Sequence, residues 1–203
     1  MKMNLIVIVM MMWSCSSMLS QETWKKTYGG SAGESSSSIT TTPDGGLVLT
    51  GSTSSGDGDF RGRAKGGGDI FVIKLDSRGD VQWKKTYGGS GNDYGYSIIT
   101  TPDSGLVLTG SNASDDGDFE GMFKDSNGSN GSNDIFVIKL DSRGDVQWKK
   151  KYGGKGENYG LSITTTSDGG LVLTGATSSN DGDFNGLNKG DVDIFVIKLD
   201  SKR

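Results

Sequence analysis

Apolar residues along this chain fall in short runs separated by clusters of Gly, Ser, Thr, Asp and Asn, and the runs recur in a fixed order. Residues 69–85 read DIFVIKLDSRGDVQWKK. Residues 134–150 repeat that stretch letter for letter, and residues 193–201 begin it again as DIFVIKLDS. In the first copy Ile70 and Val72 alternate with Phe71, Ile73 and Leu75, so an extended strand here is apolar on both faces and is expected to be covered on both sides. Ser77-Arg78-Gly79-Asp80 supplies a turn, with Gly79 free to take positive φ. Beyond it Val81, Trp83, Lys85 and Tyr87 alternate with Gln82, Lys84 and Thr86, the pattern of an outer strand with one polar face.

Trp24, Trp83 and Trp148 mark three units of roughly 60 residues, 24–82, 83–147 and 148–203. Each unit passes from Tyr-Gly-Gly into a Gly-rich loop and a short strand of small and β-branched residues (38–42, 97–101, 162–166). It then crosses a turn built on Asp44, Asp103 or Asp168 and a Leu-Val-Leu-Thr-Gly strand (47–51, 106–110, 171–175). A long acidic loop leads to the DIFVIKLD strand. Four strands joined pairwise by short turns read as an antiparallel sheet. A small polar inner strand, two middle strands apolar on both faces and a half-polar outer strand are what a propeller blade needs. The expected fold class is all-β, three four-stranded antiparallel sheets arranged as propeller-like blades, with a β-prism as the alternative.

Residues 22–28, ETWKKTY, read as an outer strand without inner strands before it, and the last DIFVIKLD run is followed by no outer strand. Pairing of residues 24–28 with residues 193–200 is expected to complete the third sheet, which removes two open edges. Propellers close with about four to eight blades. Three blades therefore stay open, or two chains join as a homodimer completing a six-bladed ring.

Composition narrows the function. Of 203 residues, 34 are Gly and two are Pro, which suits short strands and tight turns better than helices. The formal net charge of −4 leaves no cationic excess to neutralise phosphates, so nucleic acid is not an expected partner. The chain has no His, which removes His-based triads, the commonest zinc ligand and the usual general base near neutral pH. Its one Cys, Cys15, allows no internal disulfide. That residue closes a leader: a positive start at Met1-Lys2, an apolar run over residues 5–13 too short to span a bilayer, then Ser14-Cys15-Ser16-Ser17. Residues 1–20 read as a signal peptide and residues 21–203 as the repeat domain. Met12-Trp13-Ser14-Cys15 is similar to a bacterial lipoprotein box, which makes Cys15 the lipidation site and the protein an outer-membrane or cell-surface lipoprotein. Ordinary cleavage between Ser20 and Gln21, giving a secreted protein, is the alternative. Either way the expected location is extracytoplasmic, with membrane attachment only through lipid.

The repeated unit, from Tyr-Gly-Gly-Ser through Asp-Gly-Gly-Leu-Val-Leu-Thr-Gly and Asp-Gly-Asp-Phe to Asp-Ile-Phe-Val-Ile-Lys-Leu-Asp, resembles the roughly 60-residue repeats of secreted Bacteroidota proteins. The resemblance spans residues 22–201 and implies a β-propeller-type repeat in a surface or secreted protein, with no activity attached. Asp44-Gly45-Gly46-Leu47-Val48-Leu49 and its copy at 168–173 are also similar to the Asp-Gly-Asn-Leu-Val-Leu strands of bulb-type lectins. The mannose-binding pattern of those lectins is absent, so their sugar site does not transfer.

The candidate ligand residues lie in the loops. Asp57 and Asp59, Asp116 and Asp118, and Asp181 and Asp183 sit in three copies of Asp-Gly-Asp-Phe, and Tyr94 and Tyr159 in the Gly-rich connections. Two readings attach to the six Asp residues. Closely spaced carboxylates on a Gly-permitted turn supply the oxygens Ca²⁺ prefers, which makes all six candidate metal ligands. Alternatively Asp and Gly are simply turn formers. Tyr94 and Tyr159 are candidate platforms for stacking sugar rings. An enzyme is not expected, because an active site is one asymmetric constellation and these Asp pairs recur in every unit. The expected function is a surface binding module for polysaccharide or a surface protein, with a purely structural or assembly-forming scaffold as the alternative.

Overall fold

The structure, a computed structural model, describes residues 23–62, 64–122 and 132–200. The leader with Cys15 and most of the variable loop at 125–133 lie outside them. The described strands are β1 (Glu34–Thr41), β2 (Leu47–Thr53), β3 (Asp69–Leu75), β4 (Val81–Tyr87), β5 (Asp93–Thr100), β6 (Leu106–Asn112), β7 (Asp134–Leu140), β8 (Val146–Tyr152), β9 (Asn158–Thr165), β10 (Leu171–Thr177) and β11 (Asp193–Leu199). They make three antiparallel sheets in sequential order: β1 to β4, β5 to β8, and β9 to β11. The all-β, blade-like organisation read from the repeats is what the chain adopts. Its helical content among the described residues is three single 3₁₀ turns, Gly58–Phe60, Gly117–Phe119 and Gly182–Phe184.

The inner strands begin earlier than the sequence pattern suggests. β5 starts at Asp93 and β9 at Asn158, so Tyr94 and Tyr159 stand on strands rather than in loops. The strand continues through its Gly because a bulge follows it, between Gly95 and Ser97 in β5 and beside Gly160 in β9. The bulged strand can bend while its partner, β6 or β10, keeps the ladder.

The sheets pack face to face, the first on the second and the second on the third, with β5 and β9 laid across the preceding sheet. Alternation along the DIFVIKLD strand decides which side chain enters which joint. Ile70 and Val72 join Ile98, Leu106, Leu108 and Phe136 between the first two sheets. Ile135 and Val137 join Ile163, Leu173 and Phe195 between the second and third. Phe71, Ile73 and Leu75 face the other way, under Phe60 and beside Tyr28, Leu47 and Leu49. All seven residues of β3 and all seven of β7 are buried, as a strand covered on both faces requires.

The outer strand of the first sheet, β4, reaches the turn between β7 and β8 of the second. Trp83 Nε1 donates to Ser142 O at 3.2 Å, Tyr87 OH to Gly144 O at 2.6 Å, and Lys85 pairs with Asp145 at 2.6 Å. Residues 24–28 repeat this one sheet earlier. Trp24 lies against Gly79, Tyr28 OH donates to Gly79 O at 3.3 Å, and Lys26 pairs with Asp80 at 2.6 Å. This corrects the expected pairing of residues 24–28 with residues 193–200. Among the described residues the third sheet has three strands, and β11 pairs with β10 alone. The stack is open rather than closed by its own N-terminal segment. The physical reason is proximity: a binding turn for Trp24, Lys26 and Tyr28 lies on the adjoining first sheet, whereas β11 is two joints away.

Candidate functional site

The acidic loops and the Tyr-Gly-Gly connections meet at one end of each sheet and form a clasp of constant geometry. In the first unit the backbone N–H of Gly29 donates to Asp59 Oδ2 at 3.0 Å. That of Ser31 donates to Asp57 Oδ1 at 2.7 Å, and that of Ala32 to Ser55 Oγ at 2.9 Å. In the second unit Gly88, Ser90 and Gly91 donate to Asp118, Asp116 and Ser114 at 2.9, 2.6 and 2.9 Å. In the third, Gly153, Lys155 and Gly156 donate to Asp183, Asp181 and Ser179 at 2.9, 2.8 and 3.0 Å. The Gly between the two Asp residues is required here. Gly58 has φ 54°, and a Cβ on it would lie 2.3 Å from Gly29 O. The Phe that ends each motif anchors the loop: Phe60, Phe119 and Phe184 pack on Phe71, Phe136 and Phe195 with ring centroids 5.5, 5.6 and 5.4 Å apart.

The electrostatics follow from these bonds. The Ser31 N–H holds the Asp57 carboxyl below the usual carboxylate range, and the Ser90 N–H does the same for Asp116. Lys84, whose Nζ is 2.6 Å from Asp59, lowers that carboxyl together with the Gly29 N–H. Asp118 also takes an ion pair from Lys65 of the preceding loop, which links the first clasp to the second. Every one of the six candidate Asp residues thus spends carboxylate oxygen on backbone N–H. The two carboxylates of each pair are brought to one clasp, and the three clasps are separate. Turning these groups toward a cation would strip two N–H groups per unit of their acceptors, so the donor set suits Ca²⁺ poorly.

Tyr94 and Tyr159 are half-buried on neighbouring inner strands. Tyr94 lies parallel to Tyr96, ring centroids 6.3 Å apart, and Tyr159 OH donates to Glu157 at 2.9 Å.

Sequence reasoning missed two charge systems. The Lys of each DIFVIKLD strand ties down the turn between the first two strands of its sheet: Lys74 with Asp44 at 2.9 Å, Lys139 with Asp103 at 3.0 Å, Lys198 with Asp168 at 2.5 Å. Hydrogen bonds from Thr42 and Lys74 hold Asp44 at about 2. Burial opposes the same shift at Asp103, yet Thr101 and Lys139 bring it also to about 2. The signal was a Lys in an apolar run accompanied in every unit by an Asp in that turn. The second system lies inside the joints. Between the first two sheets Asp69 and Asp93 are both fully buried, and Asp69 Oδ1 and Asp93 Oδ1 have no hydrogen-bond partner among the described residues. Desolvation raises both carboxyls, and each stands near Gly88. At the next joint Asn158 replaces Asp93, and Lys151 stands where the first joint has Thr86. Asn158 Nδ2 donates to Asp134 Oδ1 at 3.2 Å, and Lys151 pairs with Asp134 at 3.1 Å.

A cleft of about 710 Å³ opens at the opposite end of the sheets, among Asp103, Lys139, Trp148, Lys150 and Leu171. None of the candidate ligand residues borders it.

No family model matches the chain. Over 141 residues, 68% of its length, it is 26% identical to the regulatory protein FlaEY of Caulobacter vibrioides. The aligned stretch is 15% of that relative's length, so the chain spans a small part of it.

Proposed function

We propose that this is a non-enzymatic extracytoplasmic repeat protein that works as an assembly module, meeting protein partners through its sheets rather than holding a small ligand in its acidic loops. The observation that carries this reading is the threefold clasp, in which the carboxylates with the best claim to a ligand are already bonded to the chain's own backbone. The leader read from the sequence supports export, with Cys15 as lipid attachment. The relative named a regulatory protein fits a role without chemistry and adds nothing more specific.

Polysaccharide binding is the second reading, and one observation favours it: Tyr94, Tyr96 and Tyr159 offer half-buried aromatic surface on adjoining strands. Melting curves of the purified protein with calcium, with chelator and with a panel of cell-surface polysaccharides separate the two. The assembly reading expects unchanged curves throughout. A rise with calcium points to the clasps as a metal site, and a rise with a polysaccharide that Tyr94→Ala abolishes points to the tyrosines; either overturns it.

A further inference from the structure

The joint between consecutive sheets is built the same way twice, and the described residues present both halves of a third copy of it, one on the third sheet and one on the first. One half is on the third sheet. β11 has the sequence of β3 and β7, but Ile194 and Val196, the residues that enter a joint from those strands, are 87% and 69% exposed, and its outer edge has no paired strand among the described residues. The other half is on the first sheet. Ile39 is 61% exposed, whereas Ile98 and Ile163 at the same place in β5 and β9 are buried at 2% and 4% against the sheet before them. Residues 24–28 read WKKTY, identical to Trp83 through Tyr87 of β4, and they already sit on the first sheet's turn as an outer strand sits on the sheet that follows it.

We propose that the open side of the third sheet receives the first sheet of a second copy of this chain, whose residues 24–28 add to β11 as its outer strand. The inference rests on the assembly reading above and gives it a partner. The added strand is already in the position it takes in the joint, so residues 24–28 need not move. By the pairing of Val72 with Lys85, Val196 of one copy faces Lys26 of the other. Ile39 and Ile194 are buried together, and main-chain bonds along the new ladder fix the register. The contact is head-to-tail, and two such contacts close a pair of chains into a ring of six sheets, within the range in which blades close.

One residue makes this joint looser than those within a chain. Ser36 stands where β5 and β9 have Gly95 and Gly160, and a Cβ at Gly160 would lie 2.4 Å from Thr109 Oγ1. In the joint between copies the Ser36 Cβ meets the equivalent Thr174, whose hydroxyl must shift from Phe195 O.

The test is sedimentation velocity of the purified protein over a concentration series, together with a disulfide trap between Val196→Cys and Lys26→Cys in a Cys15→Ser background. A concentration-dependent dimer is expected. It should be weakened at least about thirtyfold by Ile194→Asp, which touches an exposed side chain, and tightened by Ser36→Gly. The trap should give a covalent dimer. A disulfide formed within the monomer shows closure in one chain and overturns the proposal, as does a protein that stays monomeric and unlinked. Those failures leave the unshifted melting curves, and with them the assembly reading, intact.

Discussion

β3 and β11 are the same seven residues, Asp-Ile-Phe-Val-Ile-Lys-Leu, and they meet different fates. Every residue of β3 is buried. In β11 Phe195 and Leu199 are buried, while Ile194 and Val196 face outward. The difference lies wholly in the neighbours. β3 has β4 on its edge and β5 across its face, and among the described residues β11 has neither. In a repeat stack the burial of a side chain belongs to the joint and not to the repeat, so stability is carried by the interior interfaces and the ends are left for association.

The sharpest way to break this comparison is to place one charge at equivalent positions. Ile135→Asp, in the interior joint, puts an unpaired carboxylate among apolar side chains and should cost more than about 4 kcal/mol, enough to abolish cooperative unfolding. Ile194→Asp should change monomer stability by no more than about 0.5 kcal/mol. Thermal melts of the two variants decide it; equal losses would mean the third sheet is covered in the single chain.

The lysine pairs sharpen the point. Lys139 has 1% of its side chain exposed and Lys198 51%. Removing the partner with Asp103→Ala strands a buried charge and should cost about 3 kcal/mol. Asp168→Ala should leave stability nearly unchanged, because water screens Lys198. Chemical denaturation of each variant gives both numbers.

The two interior joints differ in their carboxyls. Asn158 gives Asp134 a hydrogen bond, whereas Asp93 in its place has no N–H to give and feels the like charge of Asp69. Burial raises the folded-state pKa of Asp69 and Asp93, so their contribution is present below the unfolded carboxyl value and is lost as pH rises through the raised one. Asp118 adds like charge near Asp69, while Ser114 and the Gly89 N–H bond Asp93 on its own side. Asp93→Asn should therefore stabilise the protein by about 1 kcal/mol at pH 7, with the gain shrinking toward pH 4. A gain independent of pH would remove the carboxyl pair as its cause.

The smallest effect concerns a turn. Ser104 has φ 61° where the corresponding turns have Gly45 and Gly169 at φ 78°. Ser104→Gly should raise stability by a few tenths to about 1 kcal/mol, read as a small rise in Tm.

Much of the fold was legible because the sequence states it repeatedly. The order of strands, the turns and the two-faced DIFVIKLD strand all follow from local pattern. What could not be read was set by distance. The binding site of Trp24 is a turn more than fifty residues on, and nothing local distinguishes that turn from the edge of β11. Asp57 and Asp59 were visible as a motif, but their partners are backbone N–H groups of Gly29 and Ser31, which carry no side-chain signature. Gly95 reads as a loop residue and so puts Tyr94 in a loop, but it marks a bulge within β5. The buried pair of Asp69 and Asp93 lies on two different sheets and leaves no trace in either strand alone.

Amide hydrogen exchange across the three DIFVIKLD strands tests the account most directly. In dilute protein the amides of β11 should exchange at least about a hundredfold faster than those of β3 and β7, since among the described residues no strand covers the edge and no sheet the face. On concentration, β11 and residues 24–28 should become protected together. Equal protection of all three strands in the dilute monomer would contradict it, because the third sheet would then be complete within a single chain.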